Sequence, residues 1–445
     1  MKDMFKGKKI TVMGLGLLGR GVGDTKFLAE QGAKEIIVTD LKTENDLKES
    51  VKQLEKYENI RFILGEHRLE DFKNRDFILK SADVPLDSVY IKEARENGVK
   101  VEMSTSLFAK FFEGTIVGIT GTRGKTTVSY LIDHVLRTSG RKSFLGGNIQ
   151  GVSTLAHLPE SSIDEIAVLE LDSWQLQGFG EGKISPHISV FTTFMPDHLN
   201  YYKNDLNAYM SDKANIFRFQ KGGDFLILGE KVVRLIGTSF GLSNIKSKII
   251  TASPHDIPKD WDIKIPGEHN LYNIACATES LKALGISDDE IKEGVESFAG
   301  VPGRLEILGE KDGVKIYNDT TATTPDATLV GLRALTNTPN TILIFGGNDK
   351  GIDSSKLISE MASRVKSIVL LPGTGTDKVL PKLINENINL EKADSMEGAV
   401  KKAKELSNSG DIVLLSPGFA SFGLFKNEYD RGDQYKKHVA EWLRE

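Results

Sequence analysis

An apolar, β-branched run, Thr115-Ile116-Val117, leads into Gly118-Ile119-Thr120-Gly121-Thr122-Arg123-Gly124-Lys125-Thr126-Thr127. A helical pattern follows in Val128, Leu131, Ile132, Val135 and Leu136. Strand, glycine-rich turn and helix N-terminus in that order confine the chain to a parallel α/β architecture. In this setting backbone N–H groups and the positive helix end hold phosphates, the Lys reaches the outer phosphates, and a Thr hydroxyl can face Mg2+. The common spacing, four residues between the first Gly and Gly-Lys-Thr, is not met because position 119 is Ile. The tighter Thr-Gly-Thr-x-Gly-Lys-Thr form stands instead, and it points to ATP. A glycine-rich turn without a ligand is the plain alternative.

With 445 residues the chain is long enough for two or three domains, each with its own core. A net charge of −5 argues against a nucleic-acid or membrane-surface protein. The single cysteine, Cys276, excludes an internal disulfide and a cysteine-built zinc site, which suits a reducing cytosol. It lies in the apolar run Ile274–Ala277 and reads as core. The charged N-terminal residues are followed by no apolar signal region, and no apolar run has bilayer-spanning length. The expectation is a soluble cytoplasmic protein.

Residues 9–13 form an apolar run into Gly14-Leu15-Gly16-Leu17-Leu18-Gly19, and a second run, 35–39, ends in Asp40. This is a dinucleotide-type βαβ signature. Further strands are expected at 60–64, 76–79 and 99–102, and a first domain closes near residue 112. The phosphate loop opens a second domain, 113–301, with strands at 166–171 and 188–192. Gly146-Gly147-Asn148-Ile149-Gln150-Gly151 reads as too glycine-rich for regular structure. A third domain, 302–445, has strand candidates at 315–317, 341–345, 367–371 and 412–415. Strands alternating with helices predict parallel sheets. The fold class is therefore α/β in three domains: Rossmann-like, central P-loop ATPase-type parallel sheet, and C-terminal Rossmann-like.

Several polar groups sit where strands end. Glu170 closes an apolar strand and is either a turn residue or a Mg2+ ligand. His198, after Met195-Pro196-Asp197, is an ordinary surface residue unless it shares a phosphate site with Glu170. Lys213 lies on a helix expected over 207–219, where a lysine is normally solvated. Asn270 and Asn273 share one face of a helix start, suiting a planar base, although capping by Asn270 explains part of the pattern. In the third domain, Asn318–Pro325, Gly346–Gly351 and Ser416–Phe422 follow three strands and would line one sheet edge.

Together these segments resemble the Mur ligases over essentially the whole chain, and within them the members that add D-glutamate to UDP-N-acetylmuramoyl-L-alanine. The resemblance implies an ADP-forming acid–amine ligase of peptidoglycan synthesis, with an acyl-phosphate intermediate. It implies ATP held by Gly121, Thr122, Arg123, Gly124, Lys125, Thr126 and Thr127, with Asn270, Asn273, Arg304 and Asp319 also on the nucleotide. Two Mg2+ ions would lie on Thr126, Glu170, His198 and a carbamylated Lys213. Lys125, His198 and Lys213 would carry the catalysis. Gly16, Leu17, Leu18, Asp40, Leu41, Ser81 and Asn148 would bind the UDP substrate, and Thr323, Lys350, Ser421 and Phe422 the amino acid. Its partners would be small molecules, with no nucleic acid and no membrane, and the chain a monomer.

The chain departs from the family pattern at four places. Ser81-Ala82-Asp83 replaces Ser-Pro-Gly, Gly303-Arg304 replaces His-Arg, Thr321 replaces a lysine, and Arg123 replaces a common Asn. Arg123 could restore some of the charge lost at Thr321. These changes leave open a ligase that adds another amino acid or uses a modified acceptor. A nicotinamide oxidoreductase, suggested by Gly14–Gly19 with Asp40, and a P-loop motor are rivals from other classes.

Overall fold

The computed structural model describes residues 4–17, 19–149, 151–386 and 388–445. The chain divides into two compact units, Met1–Asp260 with Tyr272–Val295, and Trp261–Leu271 with Glu296–Glu445.

The first unit contains two parallel sheets. One is built from β1 (Lys9–Met13), β2 (Glu35–Asp40), β3 (Ile60–Leu64), β4 (Phe77–Lys80) and β5 (Lys100–Glu102), in the order β3-β2-β1-β4-β5. The other is built from β6 (Thr115–Thr120), β7 (Ser143–Gly147), β8 (Ile166–Glu170), β9 (Ile188–Phe191), β10 (Phe225–Gly229) and β11 (Lys248–Ala252), in the order β11-β10-β9-β6-β8-β7. The connection from β6 runs to β7 on one side and that from β8 returns past β6 to β9 on the other, so the strand order reverses beside the carboxyl ends of β6, β8 and β9. One apolar core runs through the unit: helix Ser104–Phe111 buries Leu107 and Phe108 in the same cluster as Ile10 and Val38 of the first sheet and Ala167 and Leu169 of the second.

The second unit holds β12 (Glu306–Lys311), β13 (Val314–Asn318), β14 (Thr341–Gly346), β15 (Val365–Leu371), β16 (Asn389–Lys392) and β17 (Ile412–Leu415), in the order β12-β13-β17-β14-β15-β16. Alternate residues feed two cores. Ile342, Ile344, Val413 and Leu415 face one, and Leu343, Phe345, Ile412 and Leu414 the other. Burial on both faces explains why these strands read as unbroken apolar runs.

Two expectations change. Gly146 and Gly147 lie in β7, because the sheet leaves no room there: a Cβ at Gly147 would stand 2.1 Å from the Glu170 carbonyl oxygen, and one at Gly146 2.7 Å from the Phe144 ring. The third sheet is also not wholly parallel. β12 pairs antiparallel to β13 across Asp312-Gly313, whose φ values of 52° and 77° make a two-residue hairpin turn, with a bulge between Ile307 and Gly309.

Candidate functional site

The turn Gly121–Gly124 joins β6 to helix Lys125–Thr138. Gly124 adopts a left-handed conformation (φ 90°) and leaves the helix start without a side-chain cap. The first helical N–H groups are thus available to an anion. A Cβ at Gly124 would stand 2.4 Å from Asn273 Oδ1, and one at Gly121 2.0 Å from Thr192 Oγ1, so only glycine allows these close approaches. The loop after β9 clamps the turn from outside. Thr192 Oγ1 donates to the Arg123 carbonyl (2.6 Å), Arg123 N donates to Thr193 Oγ1 (2.8 Å), and Met195 N donates to Thr122 Oγ1 (3.0 Å). Lys125 Nζ folds over the turn to the carbonyls of Gly121 (3.1 Å) and Thr122 (3.3 Å). The Arg123 side chain is mainly exposed and faces the Asp197 carboxylate at 3.8 Å.

Lys213 is not a solvated helix residue. It is 1 % exposed, donates to the Gly121 carbonyl (2.9 Å) and lies over the Tyr209 ring. Burial, reinforced by the positive charge of Lys125, holds its amine well below the usual lysine range. Glu170 closes β8 at 4 % exposure, and its Oε2 has no hydrogen-bond partner. His198 has φ 53° and packs against Trp174, ring centres 4.6 Å apart. Burial lowers its pKa, favouring the neutral, ligand-competent imidazole. His198, Trp174 and Tyr201 line a cleft of about 500 Å3. Asn148 N donates to the Glu170 carbonyl (2.7 Å), bringing the loop after β7 to the same edge.

An orphaned buried carboxylate oxygen beside a phosphate-type turn fits a divalent cation. Among the described residues no three His, Cys, Asp or Glu side chains form a metal cage. A Mg2+ ion sharing its coordination with phosphates needs none.

At the edge of the first sheet, Asp40 uses Oδ2 to accept from Leu15 N (2.9 Å) and Gly16 N (3.0 Å), and Oδ1 from Lys42 N (2.9 Å). The acid that would grip a ribose in a nicotinamide site shapes the glycine turn here. Leu17 and Leu41 flank it, 61 % and 66 % exposed, while Leu18 lies outside the described residues. Ser81 Oγ donates to Asp83 Oδ1 (2.6 Å). Behind them, buried Lys80 donates to the carbonyls of Ser81, Ala82 and Val84, and burial pulls its amine down to about 8. Asp83 acts on that buried ammonium through space without forming an ion pair with it.

In the second unit, the three polar loops do meet along one edge. Lys350 Nζ donates to Thr323 Oγ1 (2.9 Å), and Asn348 bridges to Ala420. Thr323, Lys350 and Gly418 line one narrow depression there. Ser421 Oγ is buried without a partner, whereas Phe422 is 63 % exposed. Asn270 Nδ2 is hydrogen-bonded to the Pro266 carbonyl (2.7 Å) in this unit, while Asn273, three residues on, belongs to the first. Arg304 is exposed, and Thr321 Oγ1 donates to the Gly303 carbonyl (2.9 Å), so two of the departures touch each other.

Asp319 accepts from Leu305 N (3.2 Å) and Ser416 Oγ (2.7 Å), and burial pushes its carboxyl up from 3.8 to about 7. The folded state holds this proton more tightly than the unfolded chain. Its stabilising contribution is therefore complete below pH 3.8 and is lost as pH rises through about 7. Asp319→Asn should flatten the fall in melting temperature between about pH 5 and pH 7.5. Equal pH slopes in the two proteins would refute this.

Sequence reasoning missed the clamping role of Thr192 and Thr193.

A family model described as the Mur ligase middle domain matches residues 119–281, and one described as the Mur ligase, glutamate ligase domain matches residues 303–419. The UDP-N-acetylmuramoylalanine–D-glutamate ligase of Roseiflexus sp. (strain RS-1) is 37% identical, over 97% of this chain and 98% of that protein. The ligase of the same name from Borreliella afzelii (strain PKo) is 36% identical over 98% of each chain. Among solved structures, UDP-N-acetylmuramate-alanine ligase MurC from Thermotoga maritima matches 98% of this chain and 99% of its own, with a TM-score of 0.62 at 16% identity. The MurF ligase from Thermotoga maritima in complex with ADP matches 99% and 97%, with a TM-score of 0.56 at 18% identity. These two likenesses concern the fold alone.

Proposed function

The chain belongs to the Mur ligase family, and on that premise we propose how its own residues perform the reaction. It is the ATP-dependent ligase that joins D-glutamate to UDP-N-acetylmuramoyl-L-alanine in peptidoglycan precursor synthesis. Residues 1–112 would bind the UDP-muramoyl substrate, 113–301 ATP, and 302–445 the amino acid. The observation that carries the residue assignment is the burial of Lys213 against the phosphate turn, with the unpartnered Glu170 oxygen at the same sheet edge.

In this reading Gly121–Thr127 cradle the phosphates, with Lys125 on the β- and γ-phosphates and Asn270, Asn273, Arg304 and Asp319 serving the rest of the nucleotide. Thr126 and Glu170 would hold one Mg2+, and His198 and Lys213 a second. When bound, the ions neutralise phosphate charge. Lys213 suits this role only as a carbamate. Its depressed pKa supplies the neutral amine, which adds CO2, loses a proton and becomes an N-linked carboxylate. Gly16, Leu17, Asp40, Leu41, Ser81 and Asn148 would position the acceptor; Leu18 is assigned with them.

The alanyl carboxylate attacks the γ-phosphorus of ATP, ADP leaves, and an acyl phosphate forms. The deprotonated amine of D-glutamate, held by Thr323, Lys350, Ser421 and Phe422, then attacks the carbonyl, and phosphate departs. Lys125 acts by alignment and charge, the chief requirements of phosphoryl transfer. No helix among the described residues is long and apolar enough to cross a membrane. A cytoplasmic monomer acting on these small molecules is part of the proposal.

The test is phosphate release from ATP and Mg2+ with UDP-N-acetylmuramoyl-L-alanine across D- and L-amino acids. Release with D-glutamate alone is expected. Release only with another amino acid, or only with another UDP-sugar, would assign Gly303 and Thr321 to a changed specificity.

A further inference from the structure

We propose that Arg431 is a positioning residue for the incoming amino acid: a buried, permanent positive charge beneath the loops around Lys350 that selects an amino acid carrying two carboxylates. This rests on the functional reading above and deepens it.

Arg431 lies on helix Glu428–Arg444, is 0 % exposed, and is among the largest fully buried side chains. Its three hydrogen bonds all go to the two loops that carry the amino-acid residues. Nε donates to Thr320 Oγ1 (3.1 Å), Nη2 to the Thr320 carbonyl (2.8 Å) and Nη1 to the Phe419 carbonyl (3.3 Å). Those loops continue to Thr323 and Ser421. The approach is built into the sequence, because a Cβ at Gly432 would stand 2.7 Å from Thr320 Cγ2. Glycine inside a helix is unfavourable, and here it lets the helix sit close under the loop.

The guanidinium is bonded to neutral oxygens only, and among the described residues no carboxylate forms an ion pair with it. Burial pulls its pKa down to about 10, so it stays charged at neutral pH, with Glu428 offsetting part of the field. Arg431 and Glu428 are also the two charges that act on Lys350. A buried charge that lacks a full counter-charge is unfavourable. An anionic guest beside Lys350, near the unpartnered Ser421 hydroxyl, supplies that counter-charge without touching Arg431. One carboxylate pairs with Lys350; the second benefits from Arg431. A neutral side chain in place of the second carboxylate forfeits that attraction.

The experiment compares Arg431→Gln and Arg431→Lys with wild type, measuring KM for D-glutamate, ATP and UDP-N-acetylmuramoyl-L-alanine, preference for D-glutamate over D-glutamine, and melting temperature. In Arg431→Gln, KM for D-glutamate should rise at least about tenfold, the order expected of a full charge at an effective dielectric constant near 20. Preference over D-glutamine should fall with it, while kcat and the other two KM values stay within about twofold. Arg431→Lys keeps the charge and should restore most of the KM and the preference. A folded Gln variant with unchanged KM for D-glutamate, or one in which all three KM values rise together, overturns the assignment. If the Gln variant does not fold, the Lys variant decides: a tenfold rise in KM despite the retained charge overturns it, and a KM near wild type supports it. Absence of wild-type turnover with D-glutamate would instead overturn the functional reading itself.

Discussion

Lys125→Ala eliminates detectable ADP formation while leaving the melting temperature close to that of wild type. The lysine occupies the first position of helix Lys125–Thr138, where alanine is an equally good helix former, so the backbone of the turn has no reason to change. The turn is held independently by Thr192, Thr193 and Thr122. What is removed is the ammonium, with its charge and its two hydrogen bonds to the turn. In the folded protein Nζ rests on the carbonyls of Gly121 and Thr122, within reach of phosphates seated in the turn. Losing one preorganised electrostatic group costs about 3–4 kcal/mol of barrier, a factor of hundreds. A coupled ADP assay beside a thermal melt measures both halves of the expectation. Wild-type turnover in the variant would end the mechanism.

Lys213→Ala should be inactive as well, and short carboxylic acids such as acetate should partly restore its turnover. If the lysine worked as an ammonium, a small amine would be the natural substitute. The structure argues against that, because burial and Lys125 both disfavour a second positive charge at this point. A carbamate reverses the sign and leaves an anion beside Glu170 and neutral His198, a set suited to a divalent cation. Truncation also empties the space where the amine meets the Gly121 carbonyl, and a free carboxylate of two carbons can occupy it. The expected loss is again a factor of hundreds. Acid-dependent recovery, measured over increasing acetate at constant ionic strength, checks the sign of the missing charge. Full activity without added acid would remove Lys213 from the site.

Much of this was readable beforehand, for identifiable reasons. The phosphate turn, Asp40 after its glycines and the loops after β13, β14 and β17 all follow buried parallel strands, whose unbroken apolar runs mark where the polar edge begins. β3 and β17 were placed to the residue. What the sequence does not show depends on contacts made only in the fold. The glycines of β7 look irregular until the Glu170 backbone is seen beside them. The strand β12 is hard to read although Asp312-Gly313 announces a hairpin, because its own residues, Glu-Ile-Leu-Gly-Glu-Lys, carry little apolar pattern. Lys213 reads as solvent-facing on its helix, and only the fold places it against the turn. Arg431 sits in so charged a segment that nothing in composition separates it from its exposed neighbours. The coupling of Gly303 to Thr321 is likewise invisible to spacing, since eighteen positions separate them.

The third sheet ends in two rims that bear on how this protein behaves when crowded. β12 is kinked by its bulge and carries Glu306, Glu310 and Lys311, and β16 is only four residues long with Glu391 and Lys392 on it. Neither rim offers a flat, uncharged backbone ladder that a neighbouring molecule could extend. Newly made or concentrated chains are thereby guarded against edge-to-edge polymerisation, a safeguard separate from anything the reaction demands.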